Sequence, residues 1–360
     1  MKKIRSTIIT LTLLLGTSIL SAADFNYDTG LALKAKNASE ATMTAMEKRY
    51  DKILSVGVHG IILSSEDSGS TWRQVDRVPF SNTLTDIYCV SDTQCWAIGH
   101  DASIFHTIDS GETWTLQYED EFFDAPLLSI YMSDYLYGVA IGAFGTSLKT
   151  DNGGETWEKA LVTDDPYEPH LNYIFSSSRM KGMMGNDLIF VVGELGQIHV
   201  SDNDGKSWRL IDTGYFGSLW GGISVNETQM ILLGMSGKVL LVTFEDEKLN
   251  DFKVETIFIG IKNSLTEIKK LKNGKFVVSG NGGVISIIDM ENKTTETCIR
   301  GDRLSNTSVI EIDRDQYLLS GEKGFRSHSM EECQRNFEDA DSNSKDMWMK
   351  NSFQYLEANL

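Results

Sequence analysis

The sequence is poor in proline, cysteine and histidine, and its acidic residues outnumber its basic ones. Among 360 residues there are 4 Pro, 4 Cys and 6 His, and 33 Lys and Arg stand against 51 Asp and Glu, a formal net charge of −18. Nucleic acid phosphates and anionic membrane surfaces repel such a chain, so we exclude nucleic acid as a partner. The charge suits either simple solubility or a cationic partner.

Long apolar stretches are missing beyond the first residues, so we expect no membrane insertion of the mature chain. Lys2, Lys3 and Arg5 precede an apolar run of about 16 residues that ends in Ser21-Ala22-Ala23. This is the pattern of a secretory signal peptide, and the run is shorter than the roughly 20 residues of a membrane-spanning helix. We therefore predict cleavage near Ala23 and a periplasmic or secreted protein. Removing three positive charges changes −18 to −21.

The four cysteines, an even number in an exported chain, indicate disulfides with three possible connectivities. Cys89 and Cys95 flank a predicted hairpin turn, which favours a local pair and leaves Cys298 with Cys333. The competing interpretation is a metal site. It lacks the Cys-x-x-Cys spacing and the nearby histidines that zinc prefers.

Motifs of catalysis are also missing. The chain has no Gly-x-Ser-x-Gly elbow, no phosphate-binding glycine loop and no histidines at metal-ligand spacing. We therefore predict no catalytic, cofactor-binding or metal site. The alternative is a glycan-binding protein or a glycoside hydrolase, because a hydrolase needs only two carboxylates about 5–10 Å apart and acidic residues are plentiful.

Four segments share the pattern Ser/Thr-x-Asp-x-Gly-x-Thr/Ser-Trp, the Asp box. They begin at Ser65, Thr107, Thr150 and Ser201, and the last two carry Asn where the first two carry Asp. Such side chains bond to the local backbone and stabilise a tight turn. The predicted structural residues are Asp67, Trp72, Asp109, Trp114, Asn152, Trp157, Asn203 and Trp208.

A second repeat, a Gly-x-x-Gly-like turn, occurs seven times. Its first glycines are spaced by 42, 43, 51, 41, 46 and 41 residues. That period is typical of a four-stranded propeller blade, and short β-rich runs separate the turns. The sequence therefore predicts an all-β fold, a seven-bladed β-propeller with four-stranded blades. Residues 42–46 could begin a helix, but their alignment with the next blade favours a strand.

The combined pattern resembles the BNR/Asp-box propellers and, within them, the photosystem II stability/assembly factor-like family, in its non-photosynthetic exported bacterial form. The resemblance covers about residues 40–330 and is strongest over the first four blades. It implies a single propeller without known catalysis. Photosynthetic members help to assemble a membrane complex from the lumenal side, and some exported bacterial relatives are proposed to serve transporters.

Function is expected on the face that carries the Gly-x-x-Gly turns and the connections between blades, where acidic and aromatic residues mix. Aromatic side chains supply contact area, and acids attract basic partners. The alternative is that these aromatics merely fill the blade junctions. The candidate binding residues are His59, Phe80, His100, Asp101, Phe122, Phe123, Phe144, Tyr167, His170, Glu194, Tyr215 and Phe216.

The predicted organisation is a signal peptide over 1–23, an N-terminal extension over 24–41, the propeller over 42–336 and a polar tail over 337–360. Either Phe25–Leu33 or the tail could supply a strand that closes the ring and protects its edges. We predict a non-catalytic scaffold or assembly factor that binds a protein, such as a component of a membrane complex or transporter. A glycan or an apolar small molecule is the alternative ligand.

Overall fold

The computed structural model describes residues 30–120, 122, 125–181, 187–338, 346–353 and 356–357. Contacts divide the chain after Gly30, and the fold given below is that of the unit beginning at Leu31. Its strands form seven antiparallel sheets, and the first strand of each sheet contacts the first strand of the next. The seventh also contacts the first, so the sheets are blades of a closed ring. The predicted seven-bladed β-propeller is confirmed.

Six blades contribute four strands each, and the described part of the seventh contributes three. Blades one to three contain β1 (Met43–Arg49), β2 (Lys52–Gly57), β3 (Ile62–Ser65), β4 (Arg73–Gln74), β5 (Leu84–Cys89), β6 (Cys95–Gly99), β7 (Ile104–Thr107), β8 (Thr115–Tyr118), β9 (Leu127–Met132), β10 (Gly138–Gly142), β11 (Ser147–Thr150) and β12 (Glu158–Lys159). Strand β1 confirms the choice of a strand over a helix for this segment.

The remaining blades follow the same order from the ring centre outwards. They contain β13 (Leu171–Lys181), β14 (Asp187–Gly193), β15 (Ile198–Ser201), β16 (Arg209–Ile211), β17 (Leu219–Ser224), β18 (Gln229–Gly234), β19 (Val239–Phe244), β20 (Phe252–Thr256), β21 (Leu265–Lys270), β22 (Phe276–Gly280), β23 (Val284–Asp289), β24 (Thr294–Ile299), β25 (Asn306–Asp313), β26 (Gln316–Gly321) and β27 (Gly324–His328).

The second strand of each blade is apolar along its length rather than at alternate positions. All five residues of β10 are buried, whereas both residues of the outer strand β12 are exposed. Neighbouring blades cover both faces of a central strand, and two-sided burial produces continuous apolar runs. The core therefore lies between the blades.

Neighbouring inner strands are joined by side-chain hydrogen bonds. Thr85 Oγ1 donates to the carbonyl oxygen of Leu127 in the next blade (2.6 Å), and Thr266 Oγ1 donates in the same way to Asn306 (3.0 Å). In all seven blades the register shifts beside this second residue of the inner strand. Such a bulge changes the direction of the side chain, here toward the next blade.

The ring closes through side chains of the first and last blades. Thr307 Oγ1 in β25 donates to the carbonyl oxygen of Met43 in β1 (2.8 Å). Trp72 also stacks on Phe325, with ring centroids 3.7 Å apart. Within the described residues, no strand from one terminus joins the blade of the other. Most of the predicted closing segment Phe25–Leu33 lies outside those residues.

The C-terminal tail extends two blades instead of closing the ring. Helix α1 (Met330–Glu338) follows β27, and then β28 (Met347–Ser352) pairs with β24 of blade six and β29 (Leu356–Glu357) with β20 of blade five. The Cys298–Cys333 disulfide ties α1 to β24 and so returns the chain to that edge. Cys89–Cys95 joins β5 to β6, so both disulfides have the expected pairing. Among the described helices, none has the length and apolarity needed to cross a membrane.

Candidate functional site

The four Asp boxes form turns between the third and fourth strands. Asp67 Oδ1 accepts a hydrogen bond from the Thr71 amide (2.8 Å), and Oδ2 accepts one from the Thr71 hydroxyl (2.6 Å). These bonds lower the pKa of the exposed Asp67 carboxyl. The other three boxes contain the equivalent amide bond, from Thr113 to Asp109, from Thr156 to Asn152 and from Ser207 to Asn203. The predicted box residues thus lie in structural turns.

Two further Asp turns escaped the sequence pattern. Asp246 in blade five accepts hydrogen bonds from the amides of Asn250 (2.7 Å) and Asp251 (3.0 Å). Asp289 in blade six accepts one from the Asn292 amide (2.9 Å). Both turns keep the Asp but lack the glycine and tryptophan of the box. An Asp at blade spacing after the third strand was the available signal.

The turns between second and third strands lie at the opposite end of the blades from the Asp boxes. They share that end with the connections between blades, and we call it the loop face. At the tip of each turn two consecutive residues have a positive φ, and the first of the two is His59 (57°), Asp101 (57°), Phe144 (55°), Leu195 (57°), Ser236 (56°), Gly282 (68°) or Lys323 (60°). This conformation costs a residue other than glycine about 1–2 kcal/mol. The ring therefore presents a different side chain from the same backbone position in every blade except the sixth, where Gly282 has none.

Most of the predicted binding residues lie on the loop face and are accessible. His59, His100, Phe122, Phe144, Tyr167 and Phe216 are exposed, whereas Asp101, His170, Glu194 and Tyr215 are half-buried. Phe80 is different, because it is 5% exposed and packs against Phe105 with ring centroids 5.0 Å apart. It supports the loop face from within and cannot contact a partner. Phe123 lies outside the described residues.

Three predicted residues meet at the junction of blades three and four. The rings of Phe144 and His170 pack edge to face, with centroids 4.9 Å apart. Glu194 Oε2 accepts a hydrogen bond from the His170 amide (3.0 Å), and the Glu194 amide donates to the His170 carbonyl oxygen (2.9 Å). These contacts hold the Phe144 ring, at the tip of blade three, against the connection between blades three and four.

Exposed apolar side chains are concentrated on the loop face of blades three to five and the connections beside them. We call this set the apolar arc: Phe122, Phe144, Leu161, Tyr167, Leu195, Phe216, Trp220, Met235 and Phe258, each at least 40% exposed. Sequence reasoning missed five of them. Leu195 and Met235 occupy glycine turns, where large apolar residues are an unusual choice that could have marked them.

Acidic side chains surround the apolar arc. The described connections beside it carry Glu119, Asp120, Asp164, Asp165, Glu168 and Asp212, and Glu194 adjoins the tip of blade four. The same tips and connections carry two lysines, Lys238 and Lys262. The potential over the arc is therefore negative, in keeping with the charge of the whole chain.

The centre of the ring contains a cavity of about 210 Å³ lined by residues of the inner strands, among them Glu47, Asp86, Glu267, Lys269 and Tyr173. Burial raises the pKa of Asp86 to about 6 and that of Tyr173 to about 12. The nearby Glu267 carboxylate raises the pKa of the Lys269 ammonium above its usual range.

Two of the three central carboxylates are occupied by bonds to the next blade. Asp86 accepts hydrogen bonds from the Ser129 hydroxyl (2.9 Å) and the Ile130 amide (3.1 Å). Glu267 makes the equivalent bonds to Ser308 (2.7 Å) and Val309 (2.6 Å). They act as cross-links between blades, and the cavity is smaller than the roughly 300–1,000 Å³ of ordinary ligand pockets.

Among the residues that the structure describes, one cluster of side chains could hold a metal. His328 Nε2 lies 3.4 Å from Cys298 Sγ, and the donor atoms of Cys298, His328 and Cys333 all lie within 4.8 Å of one another. All three residues are buried. His328 stands shortly before Cys333 in the sequence, but its approach to Cys298, 30 residues away, depends on the packing of blade seven against blade six.

Comparisons with solved structures find other propellers. A structure of YCF48 bound to D1 peptide matches with a TM-score of 0.61 and 15% identity, covering 83% of this chain and 98% of that one. YCF48 from Cyanidioschyzon merolae matches with a TM-score of 0.59 and 13% identity, covering 82% and 97%. The WD40 propeller domain of Doa1 has a TM-score of 0.61, 15% identity and coverages of 83% and 96%. At such identities the likeness shows the fold alone.

Comparison with the curated proteins finds no match. The family model of photosynthesis system II assembly factor YCF48, in contrast, matches residues 70–301, more than half of the chain. The match begins inside the first Asp box and ends just after β24, so it includes all of blades two to six. The chain belongs to the family of photosynthesis system II assembly factor YCF48.

Proposed function

We propose that this chain is a non-catalytic assembly factor that binds a protein partner through the apolar arc. One observation carries the proposal: nine large apolar side chains, each at least 40% exposed, share one face of the ring. Large exposed apolar patches with polar rims mark interaction sites, and aromatic residues dominate binding energy in such sites. The Asp boxes, at the other end, stabilise the turns.

The side chains of the apolar arc indicate the composition of the partner segment that would bind it. It offers aromatic and aliphatic area within a rim of carboxylates. A complementary segment exposes apolar side chains flanked by lysine or arginine, because opposite charge speeds association and rejects acidic competitors. Polypeptide fits this chemistry better than a glycan, whose hydroxyl groups require matching polar contacts.

The family supports a polypeptide as the partner. One solved relative is described as bound to D1 peptide, and the family is named for assembly of a photosystem. We infer that this chain acts after export, in the periplasm or outside the cell, on a component of a membrane complex or transporter. The N-terminal signal pattern motivates this location.

A glycoside hydrolase is the weaker alternative. Its two carboxylates would have to face each other in an open pocket, about 5–10 Å apart. In the central cavity, Asp86 and Glu267 instead accept hydrogen bonds from neighbouring blades. The geometry therefore favours binding over hydrolysis.

Site-specific photo-crosslinking in the native host tests the proposal. A photoreactive residue replaces Phe122, Phe144 or Phe216 in the arc, each in its own variant. As a matched control it replaces Tyr50, which is 80% exposed in the β1–β2 turn at the Asp-box end. We expect a discrete protein adduct from position 216 and none from position 50. Adducts from position 50 alone, or none from 122, 144 and 216, would contradict the proposal.

A further inference from the structure

Three elements bring two cysteines and a histidine together at the junction of blades six and seven. Cys298 lies on β24, His328 ends β27, and Cys333 lies on α1. In the oxidised chain the two sulfurs form a disulfide, with His328 Nε2 3.4 Å from Cys298 Sγ. We propose that, when this disulfide is reduced, Cys298, Cys333 and His328 bind one zinc ion, so that the C-terminal tail is held by either a disulfide or a metal.

The distances suit a tetrahedral metal. Zinc–sulfur and zinc–nitrogen bonds of about 2.3 and 2.0 Å place sulfur and nitrogen ligands about 3.5 Å apart and two sulfurs about 3.8 Å apart. The observed separation of 3.4 Å between sulfur and nitrogen already matches. The two sulfurs must separate, and the Cα atoms of the two cysteines are 6.2 Å apart, which leaves room for side-chain rotation.

The burial of the three residues favours a neutral complex. Cys298 and Cys333 are each 0% exposed and His328 is 7% exposed. An isolated charge in such surroundings is costly. Two thiolates cancel the charge of Zn²⁺, and the neutral imidazole adds none. The carbonyl oxygen of Met347 lies 3.7 Å from Cys333 Sγ, a separation that suits two ligands of one zinc ion.

The chemistry balances in two steps. A dithiol reductant supplies two electrons and two protons, which break the S–S bond and leave two thiols, while the reductant becomes a disulfide. Zinc then replaces the two thiol protons and releases them to solvent. An oxidising compartment maintains the disulfide, and a reducing one with available zinc fills the metal site. This inference does not depend on the proposed function.

Cobalt titration of the full chain tests the proposal. The protein is reduced with a phosphine, desalted without oxygen and titrated with Co²⁺, whose absorption reports thiolate ligands and tetrahedral geometry. We expect one equivalent of Co²⁺ with a thiolate-to-cobalt band. The Cys89→Ser/Cys95→Ser variant should retain the band, and Cys298→Ser/Cys333→Ser should lose it. His328→Gln should weaken binding about tenfold or more.

A second measurement keeps the test decisive if reduction loosens the fold. Zn²⁺ added to the reduced wild-type chain should raise its melting temperature, because metal that binds the folded state stabilises it. The oxidised chain should show no such rise. The proposal is overturned if the reduced chain shows neither cobalt band nor zinc stabilisation. It is also overturned if Cys298→Ser/Cys333→Ser retains both.

Discussion

Trp72 of blade one lies face to face on Phe325 of blade seven, with ring planes 9° from parallel and centroids 3.7 Å apart. The contact joins the first and last blades of the ring. With Met46, Ile53, Ile310 and Leu318 it forms one apolar cluster at the closing junction. No described strand is shared between these blades, and among the described residues side-chain packing and the Thr307–Met43 hydrogen bond hold the ring shut.

Breaking this contact should destabilise the whole ring. We expect Trp72→Ala to lower the free energy of unfolding by about 3 kcal/mol, through lost burial and an empty space beside Phe325. A double-mutant cycle with Phe325→Ala should give a coupling energy of about 1 kcal/mol. Urea denaturation measures both. Strictly additive effects would show that the stacked pair does not couple the blades.

The two disulfides should differ in their contribution to stability. Cys298–Cys333 closes a loop with a sequence separation of 35, whereas Cys89–Cys95 closes one of 6. Loop entropy then predicts about 4 kcal/mol for the longer loop and about 2 kcal/mol for the shorter one. Guanidinium denaturation of the two Cys→Ser double variants, without added metal, checks this order. Equal losses would point to strain or to residual structure in the unfolded chain.

Asp86 should make stability fall as pH rises from about 4 to 6. Burial raises the pKa of its carboxyl to about 6, from the ordinary 3.8 of the unfolded chain. Between these values the folded state binds more protons, so raising the pH favours unfolding, and the slope disappears above pH 6. Relative to Asp86→Asn, the wild-type chain should lose up to about 3 kcal/mol between pH 4 and pH 7. Urea denaturation at each pH measures both chains. If their free energies of unfolding changed in parallel with pH, the prediction would be wrong.

The repeat could be predicted from sequence because its residues have local tasks. A carboxylate or amide that bonds an amide four residues later, as in Asp67 and Asn152, needs only the turn itself. Asp246 was missed because the same turn forms without the glycine and tryptophan of the box. The side-chain hydrogen bond therefore forms even where the Asp-box pattern is absent from the sequence.

The exposure of individual side chains and the path of the C-terminal tail were less predictable, because both depend on residues that are distant in the sequence. Phe80 reads as a loop aromatic, yet packing against Phe105 buries it. Leu195 is not among the predicted binding residues, yet the turn projects it into solvent. The tail pairs with blade six because the Cys298–Cys333 disulfide holds it beside the edge of β24.

We propose that partner binding and the stabilising Asp-box turns belong to opposite ends of the propeller. The most direct test of this claim is the affinity of purified variants for the partner captured at position 216. We expect Phe144→Asp/Phe216→Asp to weaken binding at least about 100-fold, since aromatic anchors dominate such interfaces. Tyr50→Asp at the Asp-box end should bind as the wild type does, and both variants should melt at the wild-type temperature. Unchanged affinity of the double variant, or an equal loss in Tyr50→Asp, would contradict the claim.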